Sequence, residues 1–106
     1  MVDESVVTSV RTYLRNLRAH GLAVRFGVLF GSQTTGRADR WSDIDLVVVS
    51  PRFDAMQDRQ DVGLLWRVAA RTDSRIEPIP CGERQWREGS CPMAEVARRE
   101  GQIVFA

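Results

Sequence analysis

Lysine is missing altogether: the 15 basic side chains among 106 residues are all arginine. Without an ε-amine the chain can build neither a Walker-type phosphate loop nor a Schiff base. Histidine occurs once and cysteine twice, with no C-x-x-C pair, so a structural zinc site has no ligand set. No apolar run, "LVVV" included, approaches the roughly 18 residues that a membrane span needs. Nor is one sign of charge in excess. A formal net charge of +1 gives no electrostatic case for direct nucleic-acid binding or for a membrane surface. The opening "MVDESVV" is acidic before its apolar residues, unlike a secretion signal. The cytoplasm is therefore the expected compartment; the ten-residue spacing of Cys81 and Cys91 allows one disulfide, although a cytosolic chain more often keeps such thiols reduced.

What is present reads as a globular chain, and residues 1–106 are long enough for one domain with one core. Val6, Val7, Val10, Tyr13, Leu14 and Leu17 recur with helical spacing, and Gly21 suits the helix stop. His20, just before it, is placed to satisfy terminal carbonyls and the helix dipole. "LAVRFGVLF" is rich in β-branched and aromatic residues and predicts a strand. A short helix beginning at Ser32 would account for the polar residues 33–40. "DIDLVVV" predicts a second strand, closed by Ser50-Pro51. Val62, Leu65, Trp66 and Ala69 share one face of a helix over about 54–71, which makes Trp66 a core residue. "SRIEPIP" is a third strand, weakened by Pro78, which cannot donate to a ladder. Ser90 is expected to cap a last helix with Pro92 in its first turn and Gly101 at its end, and "QIVF" to form a short strand. Helices alternating with strands predict an α/β (α+β) fold in two layers, a small mixed sheet covered by helices.

The chemistry concentrates in "LFGSQTTGRADRWSDIDLVVVS", residues 29–50. Asp43 and Asp45 are i and i+2 of a strand, so they project from one face about 6.6 Å apart. Ile44, Leu46 and Val48 face the other way, into a core. Paired carboxylates raise each other's pKa unless a cation joins them. Upstream, Gly31 follows a strand directly and lets a phosphate approach the backbone. Ser32 can open a helix and offer its hydroxyl and free N–H groups to an anion. A phosphate seat and a divalent-metal seat at this spacing explain each other, because Mg²⁺ binds through one or two carboxylates plus phosphate oxygens.

This stretch resembles the G-S-x(10)-D-x-D signature of the DNA polymerase beta-like nucleotidyltransferase superfamily, and the short length points to its minimal nucleotidyltransferase branch. Gly36, the run Ser42-Asp43-Ile44-Asp45-Leu46 and the closing "ARREGQIVF" match that branch as well. The resemblance implies a polymerase beta-like nucleotidyltransferase fold and a third carboxylate on a neighbouring strand. Glu77 is the candidate, where aspartate is commoner. It further implies two Mg²⁺ ions held by Asp43, Asp45 and Glu77, with Gly31 and Ser32 on the β- and γ-phosphates of ATP, the nucleoside triphosphate donor. Arg37 and Arg40 could add charge-assisted contacts.

Larger relatives carry an extra domain for the acceptor, so here the acceptor surface is expected from another molecule. Small members of the family include antitoxins paired with a helical HEPN-type toxin RNase, whose tyrosine they modify with AMP. That is the leading functional expectation. A binding-type antitoxin with weak or no catalysis, and nucleotide transfer to a small molecule, are the alternatives. Trp41 and Trp86 could each stack on a base or join an interface.

Overall fold

A computed structural model describes residues 2–35, 42–55 and 58–106. Gly36, Arg37, Arg40 and Trp41, all singled out above, lie outside the described residues. The first helix, α1, spans Glu4–Ala19. Asp3 caps it by accepting from the Ser5 N–H at 2.8 Å, which satisfies one of the free donors of a first turn. Val6, Val10, Tyr13, Leu14 and Leu17 form its buried face, as their spacing predicts. At the other end the His20 ring lies 2.8 Å from the Asn16 carbonyl. Its role is the expected one at a helix terminus.

Strand β1 (Phe26–Phe30) leads through Gly31 into the short helix α2 (Ser32–Thr35). Strand β2 (Ile44–Val49) follows, then a 3-10 turn at Pro51–Asp54 and helix α3 (Arg59–Thr72). Strand β3 is Ile76–Cys81, and α4 (Glu83–Glu88), α5 (Ala94–Glu100) and β4 (Gln102–Val104) complete the order. The sheet runs β3-β2-β1-β4. β1 is antiparallel to both β2 and β4, whereas β2 and β3 are parallel. The sheet is thus mixed, as expected, and Pro78 sits on an edge strand where a missing donor costs least.

Helices cover both faces rather than one. On the first face Leu29, Ile44, Leu46, Val48 and Ile76 pack with the apolar stripes of α1 and α3. Gly27 leaves room there: a Cβ would press on Leu46 and Leu14. The buried Tyr13 hydroxyl donates to the Leu65 carbonyl at 2.9 Å and joins the two helices. On the second face Val28, Phe30, Val47 and Val49 pack against Ala94 and Ala97 of α5. A strand reading Leu-Val-Val-Val buries both faces and therefore needs a second helical layer, which the two-layer expectation overlooked.

Three further expectations are corrected and one helix is added. Trp66 is 50% exposed, because Leu65, Val68 and Ala69 carry the buried face of α3 and turn the indole outward. The stretch 81–90 contains a helix, α4, that apolar periodicity does not reveal since none of its residues is buried. It is stabilised from outside. The Asp54 carboxylate accepts from the Arg84 and Gln85 N–H groups, and Gln85 Oε1 accepts from the Gly82 N–H. The last helix starts at Ala94 rather than Ser90, after Met93 at φ 64. Finally, Cys81 and Cys91 are not free thiols but a disulfide, their Cα atoms 5.5 Å apart. Both are buried in the second core, where the end of β3 meets the turn before α5. Among the described residues no helix is long and apolar enough to cross a membrane.

Candidate active site

The backbone brings the described residues of the expected site, Gly31, Ser32, Asp43, Asp45 and Glu77, together at one end of the sheet. Phe30 faces Asp45 in the antiparallel pair, and Asp45 faces Glu77 in the parallel pair. Directly opposed residues share a face, so Phe30, Asp45 and Glu77 form one row across three strands. Asp43 lies two residues before Asp45, just ahead of the first ladder residue. Ile44 opens that ladder by donating to the Arg75 carbonyl at 2.8 Å. Asp43 and Glu77 are exposed and Asp45 is partly covered, so the row opens to solvent at its carboxylate end.

Gly31 ends β1 beside this row. Its φ of 76° is a left-handed conformation, natural for glycine and strained for side chains with a Cβ. The space is closed as well: a Cβ there would collide with the Asp45 carboxylate oxygen Oδ2. The Gly31 carbonyl accepts from both the N–H and the hydroxyl of Thr34, each at 3.0 Å, which folds the chain at once into α2. Ser32 opens that turn. The Gly31 turn therefore lies close against the Asp45 carboxylate, with no side chain of its own between them.

Electrostatics follow from the geometry. Partial burial, and next the charge of Asp43, push the Asp45 carboxyl above its usual range. Glu77 is also raised, first by desolvation, then by Asp43 and Asp45, and by a side-chain hydrogen bond with Asp43. None of the ion pairs among the described residues involves these three groups. Carboxylates perturbed by desolvation and by like charge are candidates for a functional site. Among the described residues no group of three His, Cys, Asp or Glu side chains is already gathered to hold a metal ion. The donors nevertheless suit one. They are hard oxygens, and their mutual repulsion is what a small divalent cation would relieve.

One residue at this site has no warning in the sequence. Gln33, in α2, is buried and its amide reaches the backbone of Ser42 and Asp43. A glutamine in a polar stretch looks like any solvated side chain. Trp86, in contrast, is removed from the carboxylates. It packs edge-on to Phe26 with ring centroids 6.0 Å apart and lies under the Arg98 guanidinium at 4.9 Å. Phe26 starts β1 and Phe30 ends it, about 13 Å away at the usual strand rise. Base stacking at this site by Trp86 is thus not supported.

The family model for the nucleotidyltransferase domain matches residues 10–81. The chain belongs to this family. The match contains every described site residue and ends with β3, before α4, α5 and β4. Comparison with curated proteins finds no match. Among solved structures, this nucleotidyltransferase is similar to a Sulfolobus solfataricus protein described as a nucleotidyltransferase. The TM-score is 0.62 and the identity 14%, over 93% of this chain and 78% of that one. It is also similar to a chain of a toxin-antitoxin structure with AMP-PNP. There the TM-score is 0.61 and the identity 21%, over 91% of this chain and 73% of that one. At such identities the likeness is one of fold. Membership of the family brings a nucleotide substrate and a divalent cation as class properties.

Proposed function

We propose that this nucleotidyltransferase moves AMP from ATP onto a hydroxyl of a protein partner, a tyrosine of a helical HEPN-type toxin RNase, and so acts as its antitoxin in the cytoplasm. The observation that carries the reading is the contact of the Gly31 turn with the Asp45 carboxylate. A triphosphate seated on Gly31 and Ser32 would lie against the carboxylate row. The similar fold in a toxin-antitoxin structure with AMP-PNP, an ATP analogue, supports both the partner class and the nucleotide.

In this reading Asp43, Asp45 and Glu77 hold Mg²⁺, two ions in all, and Arg37 adds a contact to the phosphates. Bound there, the cations would neutralise charge on the attacking and leaving oxygens of an in-line displacement at the α-phosphorus. Gly31 offers bare backbone to the β- and γ-phosphates, and Ser32 adds its hydroxyl. Glu77, on the edge strand and exposed, is reachable by an acceptor from outside. From there its carboxylate is placed to take the proton of the attacking hydroxyl. The acceptor oxygen would bond to the α-phosphorus as the bond from that phosphorus to its bridging oxygen breaks, pyrophosphate would leave, and the hydroxyl proton would pass to Glu77.

A binding-type antitoxin with little catalysis is the second reading. It is favoured by one observation, that the three carboxylates are not already gathered as a metal cage. Co-expression with the helical partner, followed by intact-mass measurement of that partner, separates the two. The expected result is a mass increase of one or more AMP units that is lost with Asp43→Asn. A stable complex with an unmodified partner, in the presence of ATP and Mg²⁺, would establish the binding reading instead.

A further inference from the structure

We infer that Gln33 is a positioning residue that ties the phosphate turn to Asp43, an inference that rests on the metal-dependent reading of the site above. Gln33 is 5% exposed, and with Ser50 it makes up the buried polar side chains among the described residues. A primary amide withdrawn from water without partners is destabilising, so its placement needs a compensating contact. Nε2 supplies it by donating to the Asp43 carbonyl at 3.2 Å and the Ser42 carbonyl at 3.4 Å. Both partners are pure acceptors, which requires the amino end of the amide to face them.

The bridge crosses ten residues of sequence to reach Asp43. Its two ends are the two halves of the site. Gln33 follows Ser32 in α2, and α2 is anchored to Gly31 through Thr34. Asp43 stands ahead of β2, whose pairing with β3 begins only at Ile44. The strand ladder therefore holds Asp45 and Glu77 by their own backbones but reaches Asp43 only from one side. Asp43 is also the group whose charge acts on both other carboxylates, so repulsion acts on the member of the row least fixed by the sheet. A donor pair on the Ser42 and Asp43 carbonyls opposes that displacement. It makes the turn and the first carboxylate move as one unit.

The substitution Gln33→Met tests this, since it keeps the length and apolar burial of the side chain and removes both donors. Mn²⁺ serves as the probe for the carboxylate row, with Asp43→Asn as control. Supporting groups behind metal ligands are typically worth about 10–100-fold in affinity or rate. Gln33→Met should therefore bind Mn²⁺ about 10-fold more weakly and transfer AMP more slowly by a similar factor, with KM for ATP little changed. The Ser42 and Asp43 carbonyl ¹³C resonances should shift. Wild-type Mn²⁺ affinity in Gln33→Met beside a defective Asp43→Asn overturns the positioning role and leaves the metal reading intact. Wild-type Mn²⁺ affinity in Asp43→Asn overturns the metal reading and the positioning role with it. If Gln33→Met does not fold, the unsubstituted protein decides. Its Gln33 amide protons should exchange slowly with solvent and shift when Mg²⁺ is added; fast exchange without a shift overturns the role.

Discussion

Asp45 and Asp54 stand on either side of the buried run Leu46–Val49, and the fold treats them in opposite ways. Asp54, in the turn after β2, accepts from the backbone N–H groups of Arg84 and Gln85 at the start of α4. Those bonds, the one from Arg84 foremost, hold its pKa below the usual range. Asp45, in the same strand's first turn of ladder, is partly desolvated and faces Asp43, and its pKa is raised. Gly82 packs as tightly on the Asp54 carboxylate as Gly31 does on Asp45. Close approach of a glycine is thus common to both ends, and hydrogen-bond donors distinguish them. Where the structure only has to hold, the carboxylate is satisfied. At the proposed cation and phosphate site, no ion pair among the described residues meets it.

The sharpest test of this contrast is Glu77→Gln. If Glu77 takes the proton of the attacking hydroxyl, AMP transfer should fall by about 10²–10⁴-fold, with KM for ATP within a few-fold of wild type in steady-state kinetics. An unchanged rate would reduce Glu77 to an exposed edge-strand residue.

Breaking the satisfied end should act on stability alone. Cys91→Ser opens the link between β3 and the turn before α5, and should lower the unfolding free energy by about 2–4 kcal/mol in denaturant titration. AMP transfer below the new transition should stay at the wild-type rate, since the disulfide lies at the Val49 end of β2, away from Asp45.

Asp45→Asn should do the reverse. Mg²⁺-dependent transfer is lost, yet the thermal midpoint should rise by about 1–5 °C, because a screened repulsion worth under about 1 kcal/mol disappears. A lower midpoint would mean that Asp45 is stabilising and that the strained end has been misread.

Smallest, and visible only in metal-free buffer, is the pH profile of stability. Asp45 and Glu77 titrate above their ordinary 3.8 and 4.5 in the folded protein, so on acidification the folded state takes up protons first and gains stability. Asp54 and Asp73 titrate below their ordinary 3.8. Their contribution is complete above that value and is lost as pH falls through the lower folded one. Thermal midpoints should therefore rise slightly as pH drops from neutrality toward the carboxylate range and fall below about pH 4. Added Mg²⁺ should flatten the rise.

Much of the fold and most of the described site were legible in the residue order. The helical stripe from Val6 to Leu17, the glycine after "VLF" and the alternation of Asp43 and Asp45 with Ile44 and Leu46 follow from periodicity and backbone sterics, which are local. Even Glu77 could be chosen, although only the parallel register of β2 and β3 puts it opposite Asp45. What was not legible depends on contacts between distant segments. α4 has no apolar face to announce it and owes its start to Asp54, far back in the chain. Trp66 shares a helix with buried residues but points away from them, because the angle at which α3 docks selects Leu65, Val68 and Ala69. Spacing allowed Cys81 and Cys91 to pair but could not bring them to one core. Gln33 shows the limit most directly. A glutamine carries no pattern of its own, and its importance arises when folding withdraws it from water and leaves the carbonyls of Ser42 and Asp43 as its partners. The sequence by itself determined which residues could make a phosphate-and-metal site. Tertiary structure decided how close those residues stand and which charges go unanswered, because desolvation and repulsion depend on neighbours that only the folded chain supplies.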